Sequence, residues 1–177
     1  MRLFIAIDPP ETVRKQIITL LGKVPTGKTV PPHQLHLTLR FIGEVDTKKF
    51  KEIQNSLRQI KIESFELRFV GVGCFPTPKR PRVLWAGLLD SSPLIELKKE
   101  IDQVLKKTGL EEENRPFHPH LTLARIKFPK SNILDSFLQD NFNFQTESFD
   151  VKDFHLYSSQ LTPKGAIHQR ELTIELS

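Results

Sequence analysis

The chain opens on MRLFIAIDPPE, where five apolar residues, Leu3 to Ile7, run into an acidic residue and two prolines; this predicts a buried first strand over residues 2–8. Val13, Ile17, Leu20 and Leu21 then recur at helical spacing. A strand follows in which polar and apolar residues alternate, HLTLRF at 36–41. Next comes a helix from Asp46 with Phe50, Ile53, Leu57 and Ile60 on one side, then a strand over 65–75. The second half runs through a similar succession. It has a strand at 82–90, a helix capped by Ser92 and ended near Gly109, a strand around HLTL at 120–123, a short helix from about Ser131 and a strand at 148–159. A last hairpin is predicted to turn at Thr162-Pro163-Lys164-Gly165 and to end in the alternating ELTIEL.

The two halves can be superposed by a shift of 84 positions. That shift matches the HLTL strands to each other, SFELRFVGVGCF (64–75) to SFDVKDFHLYSS (148–159), and Asp8-Pro9 to Ser92-Pro93. The last pair reads as two helix starts, each an N-cap followed by proline. Three matches at one offset predict an internal duplication, with repeat-like halves at about 1–78 and 82–177. With no Ser/Gly linker between them, the expectation is one bilobal α+β domain over residues 1–177. Two antiparallel-rich sheets with outer helices would surround a central cleft, the natural place for a site.

Composition narrows the setting. At 177 residues and 38% hydrophobic, the chain can bury one substantial core. The opening apolar run is too short for a signal peptide or a membrane span, and no membrane partner is expected. One cysteine, Cys74, excludes an internal disulfide and fits a reducing, cytoplasmic setting; it reads as a small buried hydrophobe. A net charge of +5 and a pI near 9.4 favour polyanions such as RNA, a weak signal because many basic proteins bind none.

Strict alternation puts His36, Thr38 and Arg40 on one face of the first HLTL strand and Leu37, Leu39 and Phe41 on the other. In the second copy His120 and Thr122 share a face, but the same parity puts Ala124 there, not Arg125. If the two histidine faces look across one cleft, the site holds two imidazoles and two hydroxyls. Such a pair suits phosphoryl chemistry without a metal or cofactor: one neutral imidazole takes a proton from the nucleophile while the other, protonated, gives one to the leaving oxygen. Thr38 and Thr122 would donate to the non-bridging phosphate oxygens, and Arg40 would add charge by strand parity. A single His-x-Thr strand is more often an ordinary surface pair than a catalyst; the duplication reverses that ordering.

Two His-x-Thr-x motifs, together with RLFIAID, HLTLRFIGEV, FPTPKRPRVLW (75–85), FHPHLTLAR (117–125) and the late Ser159-x-Leu161-x-Pro163-x-Gly165, resemble the two-histidine phosphoesterases. Within them the chain is similar to the RNA 2',3'-cyclic phosphodiesterases, also called 2'-5' RNA ligases. The resemblance implies metal-independent hydrolysis of an RNA 2',3'-cyclic phosphate end to a 2'-phosphate, with tRNA fragments among the candidate substrates, and reversible 2'-5' ligation by the same groups. It implies His36 as the proton donor to the 3' oxygen, His120 as the proton acceptor that activates water, and Arg125 as a phosphate contact. Where the family often has tyrosine three residues after the late glycine, this chain has His168.

Pro78-Lys79-Arg80-Pro81-Arg82, between the halves and beside Phe75 and Trp85, is either a solvated loop or an RNA contact made through Lys79, Arg80 and Arg82. His33 and His118 precede the two motif histidines, but no cysteine or carboxylate at ligand spacing accompanies them, so no metal is expected. His155 shares a face with Tyr157 and reads as structural. A monomer is expected. The competing readings are a phosphodiesterase for a small cyclic nucleotide, and a binding module without turnover, which would have no need for two proton-transfer groups.

Overall fold

In the computed structural model, which describes residues 1–113, 115–127, 131–163 and 165–177, the opening apolar run becomes β1 (Arg2–Ile7), buried from Leu3 to Ile7. A strand apolar on both faces belongs inside a sheet. β1 pairs antiparallel with β3 (Leu37–Glu44) on one side and β9 (Asp153–Thr162) on the other. The large sheet runs β10-β9-β1-β3-β7-β6-β5, completed by β10 (Gly165–Glu175), β7 (Leu121–Arg125), β6 (Val83–Leu88) and β5 (Phe69–Phe75). A short strand, β2 (Lys28–Thr29), also pairs with β7. At the middle of this sheet β3 and β7 meet through one register pair, Leu37 opposite Leu121. The two HLTL strands are therefore neighbours with almost no ladder between them.

Among the described residues four α-helices complete the mixed α+β architecture: α1 (Glu11–Leu21), α2 (Thr47–Leu57), α3 (Ser92–Lys107) and α4 (Ser131–Asp140). Their apolar stripes, among them Val13, Ile17, Ile53, Leu97, Ile101 and Leu134, join Leu37, Leu39, Leu121 and Leu123 of the sheet in one core. Burial of the leucine face of both motif strands fixes their register, because a slip of one residue would turn every leucine to solvent.

Two sets of expectations, for strands and for helix caps, change in the details. The strands expected at 65–75 and 148–159 each break in two. β4 (Phe65–Leu67) and β8 (Phe149–Val151) pair with each other as a separate small sheet, while β5 and β9 join opposite wings of the large one. The breaks fall at Arg68 and Lys152, also 84 positions apart. Asp8 and Ser92 do not cap their helices: α1 starts after Pro10, α3 starts at Ser92 itself, and the Ser92 hydroxyl donates to Asp90. Of the last turn, Lys164 lies outside the described residues; Thr162 and Gly165 pair as β9 and β10 close the hairpin.

Candidate active site

His36 and His120 stand immediately before β3 and β7, and the chain clamps them in the same way. The Nδ1 of His36 lies 2.7 Å from the Gln34 carbonyl and the Nδ1 of His120 lies 2.6 Å from the His118 carbonyl, each acceptor two residues upstream. A carbonyl only accepts, so Nδ1 carries the hydrogen in both rings and Nε2 of the neutral imidazole keeps its lone pair. Gln34 belongs to a 3₁₀ turn, Pro32–Gln34, and its side chain donates to the Ala166 carbonyl of β10 at 2.7 Å. This ties the carbonyl clamp of His36 to the far edge of the sheet.

Aromatic rings pack around both imidazoles. Phe4 lies 5.0 Å from His36 and stacks on Tyr157 at 5.2 Å, while His168 stands edge-on to His36 at 5.7 Å. On the other side Phe75 is edge-on to His120 at 5.0 Å, backed by Trp85. Trp85 lies flat over Gly73, where a β-carbon would come within 2.3 Å of its ring. Burial disfavours the charged form of both histidines, against their carbonyl hydrogen bonds, and lowers His36 to about 4. His120 is lowered from the same first cause. The positive charge of Arg125 pushes both the same way, so its field reaches each imidazole.

Thr38 and Thr122 are half-buried between fully buried leucines. Beyond them simple alternation fails. β1 pairs Ala6 with Thr38 and then Ile5 with Arg40, skipping Leu39; β6 pairs Trp85 with Thr122 and then Leu84 with Ala124, skipping Leu123. Each is a β-bulge, and one extra residue reverses which face every later side chain takes. The phosphate contact expected from Arg40 by parity is thereby corrected. Arg40 turns away from the histidine face, is 7% exposed, and bonds the Glu111 carbonyl and the Glu113 carboxylate. The same reversal exposes Phe41, at 58%, and leaves Arg125 exposed beyond buried Ala124.

The basic segment is exposed at all three cations. Lys79 and Arg80 lie in the loop joining β5 and β6, and Arg82 also donates through its guanidinium to the Lys127 carbonyl at 2.7 Å and joins Phe75 and Ile126 through its backbone. His155 is buried between the Thr173 hydroxyl at 3.1 Å and Asp153 at 3.3 Å. Sequence reading missed Asp8, disguised as a helix cap. Its carboxylate accepts from the Tyr157 hydroxyl and from Arg170, both at 2.6 Å. Burial and that hydrogen bond raise the Tyr157 phenol to about 12, so it stays a donor. Beside His36 a pocket of about 160 Å³ is lined by Phe4, Asp8, His33, Tyr157 and His168. Among the described residues no three His, Cys, Asp or Glu side chains gather as a metal site would require, and no helix is long and apolar enough to cross a membrane.

A family model described as the 2'-5' RNA ligase superfamily matches residues 9–162. An RNA 2',3'-cyclic phosphodiesterase of Archaeoglobus fulgidus is 37% identical over 175 residues, 96% of this chain and 97% of its own. The crystal structure of Escherichia coli LigT in apo form superposes with a TM-score of 0.82 at 30% identity, covering 99% of this chain and 97% of LigT. LigT complexed with 3'-AMP superposes at 0.81, also 30% identical, over 99% and 98% of the two chains. With paired histidines clamped alike at the centre of a shared fold, the chain belongs to the 2'-5' RNA ligase superfamily, the two-histidine phosphoesterases.

Proposed function

We propose that this protein hydrolyses the 2',3'-cyclic phosphate at an RNA end, leaving a 2'-phosphate and a free 3'-hydroxyl, with His36 and His120 as the acid–base pair. The observation that carries this reading is the matched clamp: two imidazoles on adjoining strands, each holding its hydrogen on Nδ1 and leaving Nε2 for proton transfer. In the forward direction His120 accepts a proton from the attacking water as the new P–O bond forms. The P–O3' bond breaks and His36 gives its proton to O3'. The order of roles follows the family resemblance. Thr38 and Thr122 donate to the non-bridging oxygens, and Arg125 supplies the charge that sequence parity had expected from Arg40. In ligation an RNA 5'-hydroxyl takes the place of water: His120 accepts its proton, His36 protonates the departing O3' and a 2'-5' linkage forms, while cleavage of that linkage runs the two histidines in exchanged roles.

With both pKa values depressed, both histidines are neutral at pH 7 in the empty site, so the donor acquires its proton along with the anionic phosphate. The substrate we infer is an RNA strand. Exposed Phe41 offers a stacking surface, and Lys79 and Arg80 are exposed in the loop between β5 and β6, the strands that carry the Phe75–Trp85 pair. We further infer that residues 1–177 form one bilobal domain of repeat-like halves, since β3 and β7, α2 and α4, and β4 and β8 begin 84 positions apart.

The test is an oligonucleotide ending in a 2',3'-cyclic phosphate, incubated in EDTA with the product isomer identified. A 2'-phosphate product is expected; no turnover, a 3'-phosphate, or loss of activity to the chelator would overturn the reading.

A further inference from the structure

The strands that carry the two histidines share one register pair, Leu37 with Leu121, and the remaining ladders of β7 run to β6 and β2. So loose a seam does little to fix the distance between two proton-transfer groups. On the reverse side of β3, four residues after His36, the buried Arg40 guanidinium meets carboxylates that are about one-third exposed. Its Nη1 is 3.3 Å from Glu113 and 3.7 Å from Asp102, and its Nη2 donates to the Glu111 carbonyl at 2.5 Å. Lys98 of α3 lies 2.5 Å from Asp102 and 3.6 Å from Glu113, with its ammonium 5.6 Å from the Phe117 ring centre. The side chains of Arg40 and Lys98 are 8% and 7% exposed. Two cations meet two carboxylates, and the Arg40 Nε and Asp102 Oδ1 have no hydrogen-bond partner.

Glu111, Glu113 and Phe117 all lie on the segment between α3 and β7, and Phe117 immediately precedes His118, whose carbonyl holds the His120 ring. We propose that Arg40 is a positioning residue: with Lys98, Asp102 and Glu113 it fixes the segment bearing His118 and His120 against the strand bearing His36. This inference rests on the acid–base reading of the two histidines. A cluster of buried cations and part-exposed carboxylates adds little net stability, yet its partners demand defined geometry, which suits a part that sets position. The guanidinium also matches the task, because its fork reaches a carboxylate and a carbonyl at once and a lysine ammonium does not.

Arg40→Met, Arg40→Lys and Glu113→Gln are to be compared with wild type by steady-state kinetics on the cyclic-phosphate oligonucleotide and by imidazole nitrogen NMR. A small misplacement of His120 should lower kcat on the order of 10–100-fold in Arg40→Met, with no rescue by lysine. KM should stay within about threefold, as expected when an interaction acts through orientation and not through binding. The His120 resonances should shift while those of His36 hold. A variant with lower thermal stability but wild-type kcat and unshifted His120 resonances overturns the proposal. Should Arg40→Met fail to fold, Glu113→Gln carries the same comparison. If the wild type itself shows no turnover, the reaction reading fails, and the NMR comparison still decides the positioning role.

Discussion

The burial of His36 ties folding stability to pH. Its pKa falls from an ordinary 6.5 to about 4, mainly because the charged ring would lose water among Phe4, Tyr157 and His168. Between those values the unfolded chain holds a proton that the folded chain refuses, so stability is complete above pH 6.5 and drains away as pH falls toward about 4. At about 1.4 kcal/mol per pKa unit, the drop from 6.5 to about 4 corresponds to roughly 3 kcal/mol. His120, His155 and His168 are lowered in the same direction and add to the trend. Urea denaturation of wild type and His36→Gln at a series of pH values isolates the one ring, since titrations common to both proteins cancel. Relative to the variant, wild type should lose roughly 3 kcal/mol between pH 7 and pH 4. A difference independent of pH would refute the claim that His36 is buried neutral.

His36→Ala and His120→Ala should each remove nearly all turnover while circular dichroism shows an unchanged fold; wild-type rate in either variant would end the acid–base assignment. The pH dependence of kcat/KM should be a bell whose limbs both lie below 6.5, because both free-enzyme pKa values are depressed, and pH-rate profiles would reveal limbs at ordinary positions if burial were misread. Arg125→Ala should lower the affinity for inorganic phosphate and, by removing a positive charge near both rings, raise both histidine pKa values, as NMR titration would show. Gly73→Ala should unseat the Trp85 ring and change its fluorescence, with kcat falling along with the packing of His120; an unaltered emission spectrum would refute the contact.

The candidate site was legible in the sequence wherever residue identity alone decided it. His36, Thr38, His120 and Thr122 needed only their residue types, their repetition and a period of two. Arg40 was misplaced because parity is a running count, and a single extra residue at Leu39 resets it. Nothing in HLTLRF marks Leu39 as the bulged position, since it is as apolar and as buried as Leu37. Asp8 was misread for another reason: an acidic residue before Pro-Pro is a capping signal locally, and its real partners, Tyr157 and Arg170, lie in strands the chain reaches some 150 residues later. The breaks at Arg68 and Lys152 were likewise hidden, because both neighbours of each are strand residues and only the pairing of β4 with β8 shows that the chain changes sheets.

The paired bulges also show how identical motifs come to differ. After Leu39 the histidine face receives Phe41, and after Leu123 the equivalent position receives Arg125. The same backbone device thus delivers an aromatic surface on one side and a cation on the other. Around them His36 is enclosed by Phe4, Tyr157 and His168, with the Asp8 carboxylate acting on it, while His120 rests on Phe75 and Trp85 and feels the charge of His118. The carbonyl clamps set the tautomer equally in both halves, so they cannot divide the roles of acid and base. On the proposed acid–base reading that division falls to the surroundings, through burial and nearby charge, and exchanging Phe41 and Arg125 should therefore alter the pH profile of the reaction while leaving both clamps in place.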